Sequence, residues 1–247
     1  MITIKSHSEL DLMRKAGKIV SGTFEALKRS IKPGITTKEL DRIAYDFIKS
    51  SGATPSFLNY GGFPASICTS INDCVIHGIP DKTKLCDGDI ISIDIGACYK
   101  GYHADSAKTF AVGDISADAK RLIDVTRQSF YEGIKLAKRK NRIGDVSAAI
   151  GEYIESNGFG VVRDYTGHGI GEKLHEDPSV FNFGAPGHGP RLMAGMTIAI
   201  EPMVTAGDYE VYTEDDDWTV RTFDGSLAAH YEHTILITDG ECEILTL

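Results

Sequence analysis

The chain has 247 residues, 42% hydrophobic and 25% charged, a globular composition that suits one large domain or two small ones. Its net charge of −9 argues against nucleic acid as the main ligand. No apolar run approaches the ~20 residues of a membrane span, and Met1 to Lys15 lacks the pattern of a signal peptide. The first predicted helix spans Ser8 to Ile31, with apolar residues at Leu10, Met13, Ile19, Val20, Phe24 and Leu27 and a cap formed by Ser8 with Asp11. Pro33 and Gly34 break it. Thr36 with Glu39 reads as a capping box for a second helix that turns Leu40, Ile43, Phe47 and Ile48 inward and stops at Gly52.

Between Ile90 and Phe110 the pattern predicts an antiparallel strand pair turning at Tyr99-Lys100, which sets Asp94 directly opposite Asp105 on one face. Two more helices are expected, from about Asp118 to Lys138 and from about Asp145 to Ser156. The run Glu214-Asp215-Asp216-Asp217 reads as a hairpin tip before the single tryptophan, Trp218. It is either a solvated turn or an acidic entrance that attracts a cationic substrate group. The basic cluster Lys135, Lys138, Arg139, Lys140 and Arg142 falls at a predicted helix C-terminus, where cations favour the dipole. Five cysteines (Cys68, Cys74, Cys86, Cys98, Cys242) without a CxxC pair fit reduced thiols in the cytoplasm.

The chain is written twice. Leu85, Gly88, Ile91, Ile93 and Asp94 match Leu192, Gly195, Ile198, Ile200 and Glu201 at a constant offset of 107. His103-Ala104-Asp105 matches His230-Tyr231-Glu232, and His77-Gly78-Ile79 matches His168-Gly169-Ile170. Three matches in one order indicate internal duplication. With no linker between the copies, one fused domain is expected, with a curved antiparallel sheet, helices outside it and a site between the halves. Asp94, Asp105, His168, Glu201 and Glu232 sit in short apolar or glycine-bounded segments. Buried carboxylates need protonation or a cation. One divalent ion uses four of them poorly, so two ions are expected. An oxygen-rich set with one imidazole suits Co, Mn, Fe or Zn. His103 and His230 have the parity of the ligand face and are read as supporting or structural. His233 should face away, and His7 and His188 lie at the surface.

These residues resemble the pita-bread metallopeptidases, most of all the type I methionine aminopeptidases. The motifs are Ser70-Ile71-Asn72-Asp73-Cys74-Val75-Ile76-His77-Gly78-Ile79-Pro80, Thr166-Gly167-His168-Gly169-Ile170-Gly171, Leu174-His175-Glu176-Asp177-Pro178, Thr197-Ile198-Ala199-Ile200-Glu201-Pro202 and Tyr231-Glu232-His233-Thr234. The resemblance implies an α+β duplicated pita-bread fold. It also implies one catalytic domain over 1–247, made of pseudo-symmetric halves at about 1–113 and 114–247. By that likeness Asp94, Asp105, His168, Glu201 and Glu232 hold two divalent ions and a bridging hydroxide, with Asp105 and Glu232 shared between the ions. His77 and His175 face the substrate, Glu201 carries a proton, and Tyr60, Phe63, Cys68 and Trp218 surround a methionine side chain.

The implied activity is removal of initiator methionine from nascent proteins and peptides when the next residue is small. The enzyme would be a cytoplasmic monomer whose basic cluster is a candidate for transient ribosome contact. Creatinases, prolidases and aminopeptidase P share the five ligands but carry an extra N-terminal domain, whereas this chain is expected to begin with the catalytic unit. Only 33 positions separate His168 from Glu201, too few for the helical insertion of type II enzymes. The rivals are an Xaa-Pro dipeptidase and a non-catalytic binding protein of the same fold. Two departures bear on fine specificity. Leu174 stands where many relatives have Phe, and the glycine-rich stretch 182–190 reads as a mobile loop near the mouth.

Overall fold

Apolar residues three and four apart build four helices: α1 (His7–Lys28), α2 (Thr37–Ser50), α3 (Ala117–Ile134) and α4 (Ile143–Ser156). The structure, a computed structural model, describes residues 1–247. The box at Thr36 is present: Glu39 accepts from the Thr36 N–H at 2.8 Å and the Thr36 hydroxyl accepts from the Glu39 N–H at 3.2 Å. The α1 cap differs from the expected one. Glu9 accepts from the Ser6 N–H at 2.6 Å, while Asp11 pairs with Arg14 at 3.0 Å, so the helix begins at His7 rather than Ser8. α3 stops at Ile134, short of Lys138, because the chain then turns to bury Ala137.

The first half contains β1 (Thr54–Pro55), β2 (Ile67–Ile71), β3 (Cys74–Ile76), β4 (Ile90–Tyr99) and β5 (Tyr102–Ala111). The second contains β6 (Gly160–Val161), β7 (Gly167–Gly169), β8 (Glu176–Val180), β9 (Thr197–Ile200), β10 (Met203–Thr205), β11 (Val211–Thr213), β12 (Val220–Thr222), β13 (Ala228–His230), β14 (His233–Leu236) and β15 (Glu243–Ile244). Every pairing is antiparallel. β4 lies between β2 and β5 in one half, and β9 lies between β7 and β14 in the other. The central sheet faces carry helix pairs on the outside. Ile91, Ile93 and Ile95 pack with residues of α1 and α2, and Ile198, Ile200 and Ile235 pack with residues of α3 and α4. At Gly17 the C-terminal segment crosses α1, so a side chain there would meet the Leu245 carbonyl oxygen at 2.0 Å.

The β4–β5 hairpin corrects one expectation. It turns at Lys100-Gly101, with φ of 50° and 87°, both positive as a tight two-residue turn requires. Tyr99 therefore pairs with Tyr102, and Asp94 opposes Ala107 while Asp105 opposes Gly96. The two aspartates are diagonal rather than opposed. They still share a face, because residues two apart on a strand point the same way. The halves join beside them: the Glu232 N–H donates to Ala107 O at 2.8 Å, and the Ala107 N–H donates to Glu232 O at 3.3 Å.

Candidate metal centre

All five predicted ligands meet where the halves join. Ligand atoms of Asp105, His168 and Glu232 lie within 4.8 Å of one another, and these residues are only 3%, 9% and 2% exposed. His168 Nε2 is 3.5 Å from Asp105 Oδ2 and 3.6 Å from Glu201 Oε1. Glu232 touches the carboxyls of both Asp94 and Asp105. The glycines around His168 let β7 wedge between its neighbours: a side chain at Gly167 would meet Ala199 O at 2.4 Å, and one at Gly169 would meet Asp177 O at 2.1 Å. His168 Nδ1 lies 2.8 Å from Gly169 O. A carbonyl only accepts, so Nδ1 carries the proton and the Nε2 lone pair faces the carboxylates.

Burial, then the charge of Asp105, pushes the Asp94 carboxyl well above its usual range. Burial and the same neighbour raise Glu201 and Glu232. Asp105 is raised to about 6, again by burial first, and burial lowers His168 to about 4. A neutral imidazole therefore offers no charge to four crowded acids. Asp94 Oδ1 is buried with no hydrogen-bond partner. An orphan oxygen among acids that repel one another fits divalent cations as the missing partners. Thr234 sets the Asp105 geometry: its hydroxyl accepts from the Asp105 N–H at 3.0 Å and can donate to Oδ1 at 3.0 Å. Thr234→Val should weaken metal binding about 10- to 100-fold in a calorimetric titration, and an unchanged isotherm would remove Thr234 from this role.

An apolar cluster adjoins the centre. Cys68 opposes Asp94 across β2 and β4, and buried Phe63 meets the Trp218 ring edge-on at 5.1 Å. His77 adopts φ 59° and packs edge-on against Trp218 and Tyr165. Such backbone strain at a non-glycine residue is a mark of a functional position. Burial lowers His77 to about 4. His175 stands at the mouth, its ring 4.3 Å from that of His168, and burial lowers it to about 4. Tyr60 is 44% exposed and its hydroxyl meets His175 Nδ1 at 2.7 Å, which leaves Nε2 free of that bond. The backbone is left-handed at Asn59 and Gly61 on either side of Tyr60.

Other expectations shift in the folded chain. Leu174 is buried with Leu10, Met13 and Ile170, and Phe57 packs against both that group and the group of Phe63 and Cys68. The 182–190 stretch is tied to the α4 N-terminus. Gly144 N–H donates to His188 O at 3.0 Å, Ile143 N–H donates to Pro190 O at 3.0 Å, and Gly187 N–H donates to Asp145 at 2.7 Å. The basic cluster follows α3 instead of ending it, with Lys135 paired to Glu132 and Arg139 to Asp239.

The acidic run is a hairpin tip between β11 and β12. Glu214 pairs with Arg221 at 2.5 Å, and Asp216 accepts from the Trp218 and Thr219 N–H groups at 2.9 and 2.8 Å. Those two acids build the turn, which leaves Asp215 and Asp217 exposed for attraction. Converting both to Asn should raise KM roughly two-fold at low salt, an effect that added salt erases. An unaltered KM at low salt would reduce the tip to a solvated turn.

A model of metallopeptidase family M24 matches residues 11–239. The chain belongs to that family. It is 58% identical over 247 residues to a methionine aminopeptidase of Clostridium perfringens, covering 100% of this chain and 99% of the relative. The crystal structure of methionine aminopeptidase from Thermotoga maritima superposes with a TM-score of 0.98 at 46% identity, covering 100% of this chain and 99% of that one. A Xaa-Pro dipeptidase of Bacillus anthracis is more distant: its TM-score is 0.81 at 26% identity, and the match covers 98% of this chain and 61% of that one. The M24 chain thus groups with the methionine aminopeptidases of type I, an α+β fold of the pita-bread kind.

The sequence reads His230 as supporting or structural, on the ligand face. His230 ends β13, is 2% exposed and places Nε2 3.7 Å from Glu201 Oε2. Its spacing from Glu232, equal to that of His103 from Asp105, carried the signal. The two diverge in the fold, since His103 Nδ1 meets Ser56 Oγ at 2.9 Å outside the centre.

Proposed function

We propose that this M24 peptidase removes the N-terminal methionine of peptides and nascent chains when the next residue is small. The observation that carries the reading is the centre itself, with four acids and one imidazole from both halves against a pocket of Phe63, Cys68 and Trp218. We read 1–247 as one catalytic domain of two halves, 1–113 and 114–247. The repeated order of two helices followed by antiparallel strands supports this. Asp94, Asp105, His168, Glu201 and Glu232 would hold two divalent ions, Co, Mn, Fe or Zn by donor chemistry. Asp105 and Glu232 would be shared. Bound, the pair supplies water activation and Lewis acidity, a use for which aminopeptidases are a described example.

The chain's own groups do the rest. Trp218, Phe63, Cys68 and Tyr60 surround the apolar side chain and exclude water. His175 Nε2, freed by the Tyr60 bond to Nδ1, donates to the scissile carbonyl as charge develops on its oxygen. His77 binds the substrate backbone or leaving group. Glu201 takes a proton and returns it to the leaving amine nitrogen, general acid–base work worth about 10²–10⁴-fold.

The enzyme acts in the cytoplasm in this reading, which five free thiols support, and a monomer is proposed with it. No helix is long and apolar enough to cross a membrane. A transient ribosome contact at the basic loop is tested by charge reversal and co-sedimentation.

The deciding assay follows methionine release from Met-Ala-Ser after chelation and re-addition of Mn or Co, with Ala-Pro in parallel. Metal-dependent release with inert Ala-Pro supports the reading. Cleavage of Ala-Pro alone would move the assignment to an Xaa-Pro dipeptidase, and silence on both to a binding protein.

A further inference from the structure

The backbone of His230 is pinned on both sides. Its N–H donates to Thr109 Oγ1 at 3.0 Å, the Thr109 hydroxyl donates to its carbonyl at 2.9 Å, and β13 pairs it with Met203. The strand therefore delivers the ring to the centre with little freedom to swing. There Nε2 is buried without a hydrogen-bond partner. A carboxylate oxygen, Glu201 Oε2, lies 3.7 Å away. The other oxygen of the same carboxyl, Oε1, lies 3.6 Å from His168 Nε2. Glu201 thus stands between two imidazoles, each addressing one oxygen.

Their protonation differs. His168 Nδ1 is committed to a carbonyl, so its Nε2 is a lone pair and cannot hold a carboxylate oxygen. His230 has no such commitment at Nδ1, so its Nε2 is free to carry the proton. A buried N–H beside a carboxylate oxygen has one favourable outcome, a charge-assisted hydrogen bond. Closing from 3.7 Å to a normal length takes a side-chain shift of roughly 0.8 Å.

We propose that His230 is a positioning residue for Glu201: its Nε2–H binds Oε2, fixes the rotation of the carboxyl and so presents Oε1 to the metal centre. The inference deepens the assignment of Glu201 as ligand and proton carrier, on which it rests. Without the bond the carboxyl can rotate, and both metal affinity and proton transfer suffer while the substrate pocket is untouched.

The test uses His230→Leu, which removes the donor, His230→Gln, which keeps an N–H at similar reach, and His230→Asn, whose amide is one carbon shorter. The probes are Mn titration followed by calorimetry, kcat and KM for Met-Ala-Ser, and the pH profile of kcat. His230→Leu should lose about 10- to 100-fold in Mn affinity and lower kcat with KM little changed. The acidic limb of the profile should move with it. His230→Gln should recover most of both losses and His230→Asn little, a comparison that stands even if the leucine variant does not fold.

Three results would overturn the proposal. Unchanged affinity and kcat in His230→Leu make the residue structural. Loss of one of two bound Mn ions in His230→Gln makes it a ligand. A rise in KM alone makes it a substrate contact. Glu201→Gln is the separate control: normal Mn binding and turnover in that variant remove the Glu201 assignment itself, whatever the His230 variants do.

Discussion

Asp105→Asn should reduce kcat/KM by about 10³-fold or more, because metal catalysis contributes several kcal/mol and each 1.4 kcal/mol is tenfold. The change keeps the shape of the side chain and removes one anionic oxygen from the group that Asp105, His168 and Glu232 form within 4.8 Å. It should also relieve crowding. Asp105 raises the carboxyls of Asp94, Glu201 and Glu232 by its charge, so the metal-free variant should melt above metal-free wild type at neutral pH. Loss of activity through misfolding predicts the opposite shift. Melting curves with and without Mn, read beside kinetics, separate the two. Turnover within tenfold of wild type at saturating metal would sink the ligand assignment for Asp105.

The second large effect concerns metal-free protein and pH. Asp105, Asp94, Glu201 and Glu232 all have folded values raised by burial. A raised acid holds its proton longer in the folded chain than in the unfolded one. Its contribution to stability is full below the unfolded value and is lost as pH climbs through the folded value. For Asp105 that window runs from its ordinary 3.8 to about 6, which corresponds to about 3 kcal/mol. The other three extend the loss to higher pH. Chelated protein should therefore melt at a lower temperature at pH 8 than at pH 5, even though most surface charges favour neutrality. Added Mn should reverse the trend, because cations bind the deprotonated acids and release protons. Melting temperatures across pH 5 to 8 with chelator and with Mn check this. Parallel curves in the two conditions would mean that the acids are not the metal site.

What could be read along the chain was whatever depends on local spacing. Period and capping residues located four helices, and the Thr36–Glu39 box held because both partners lie within one turn. The offset of 107 showed the duplication and paired Asp94 with Glu201, because a repeated strand keeps its side-chain parity wherever it packs. Errors entered where one residue of register or a distant partner mattered. The hairpin turn fell one residue later than expected, since Gly101 accepts a positive φ more readily than Tyr99 does, and that moved Asp94 from opposite Asp105 to diagonal. Parity rescued the conclusion. The ties of the 182–190 stretch to the α4 N-terminus were not legible because those partners are distant in sequence.

His230 shows the same division. Its spacing from Glu232 put it on the ligand face, as it did His103 relative to Asp105. Which of the two enters the centre depends on packing. Ser56 captures His103, whereas nothing captures His230 Nε2 before it reaches Glu201. Residue type and spacing pointed to the chemistry proposed for this chain, since buried carboxylates need protonation or a cation in any fold. The choice of which groups touch came from the meeting of two halves, where hydrogen bonds between Ala107 and Glu232 set distances that no single segment contains.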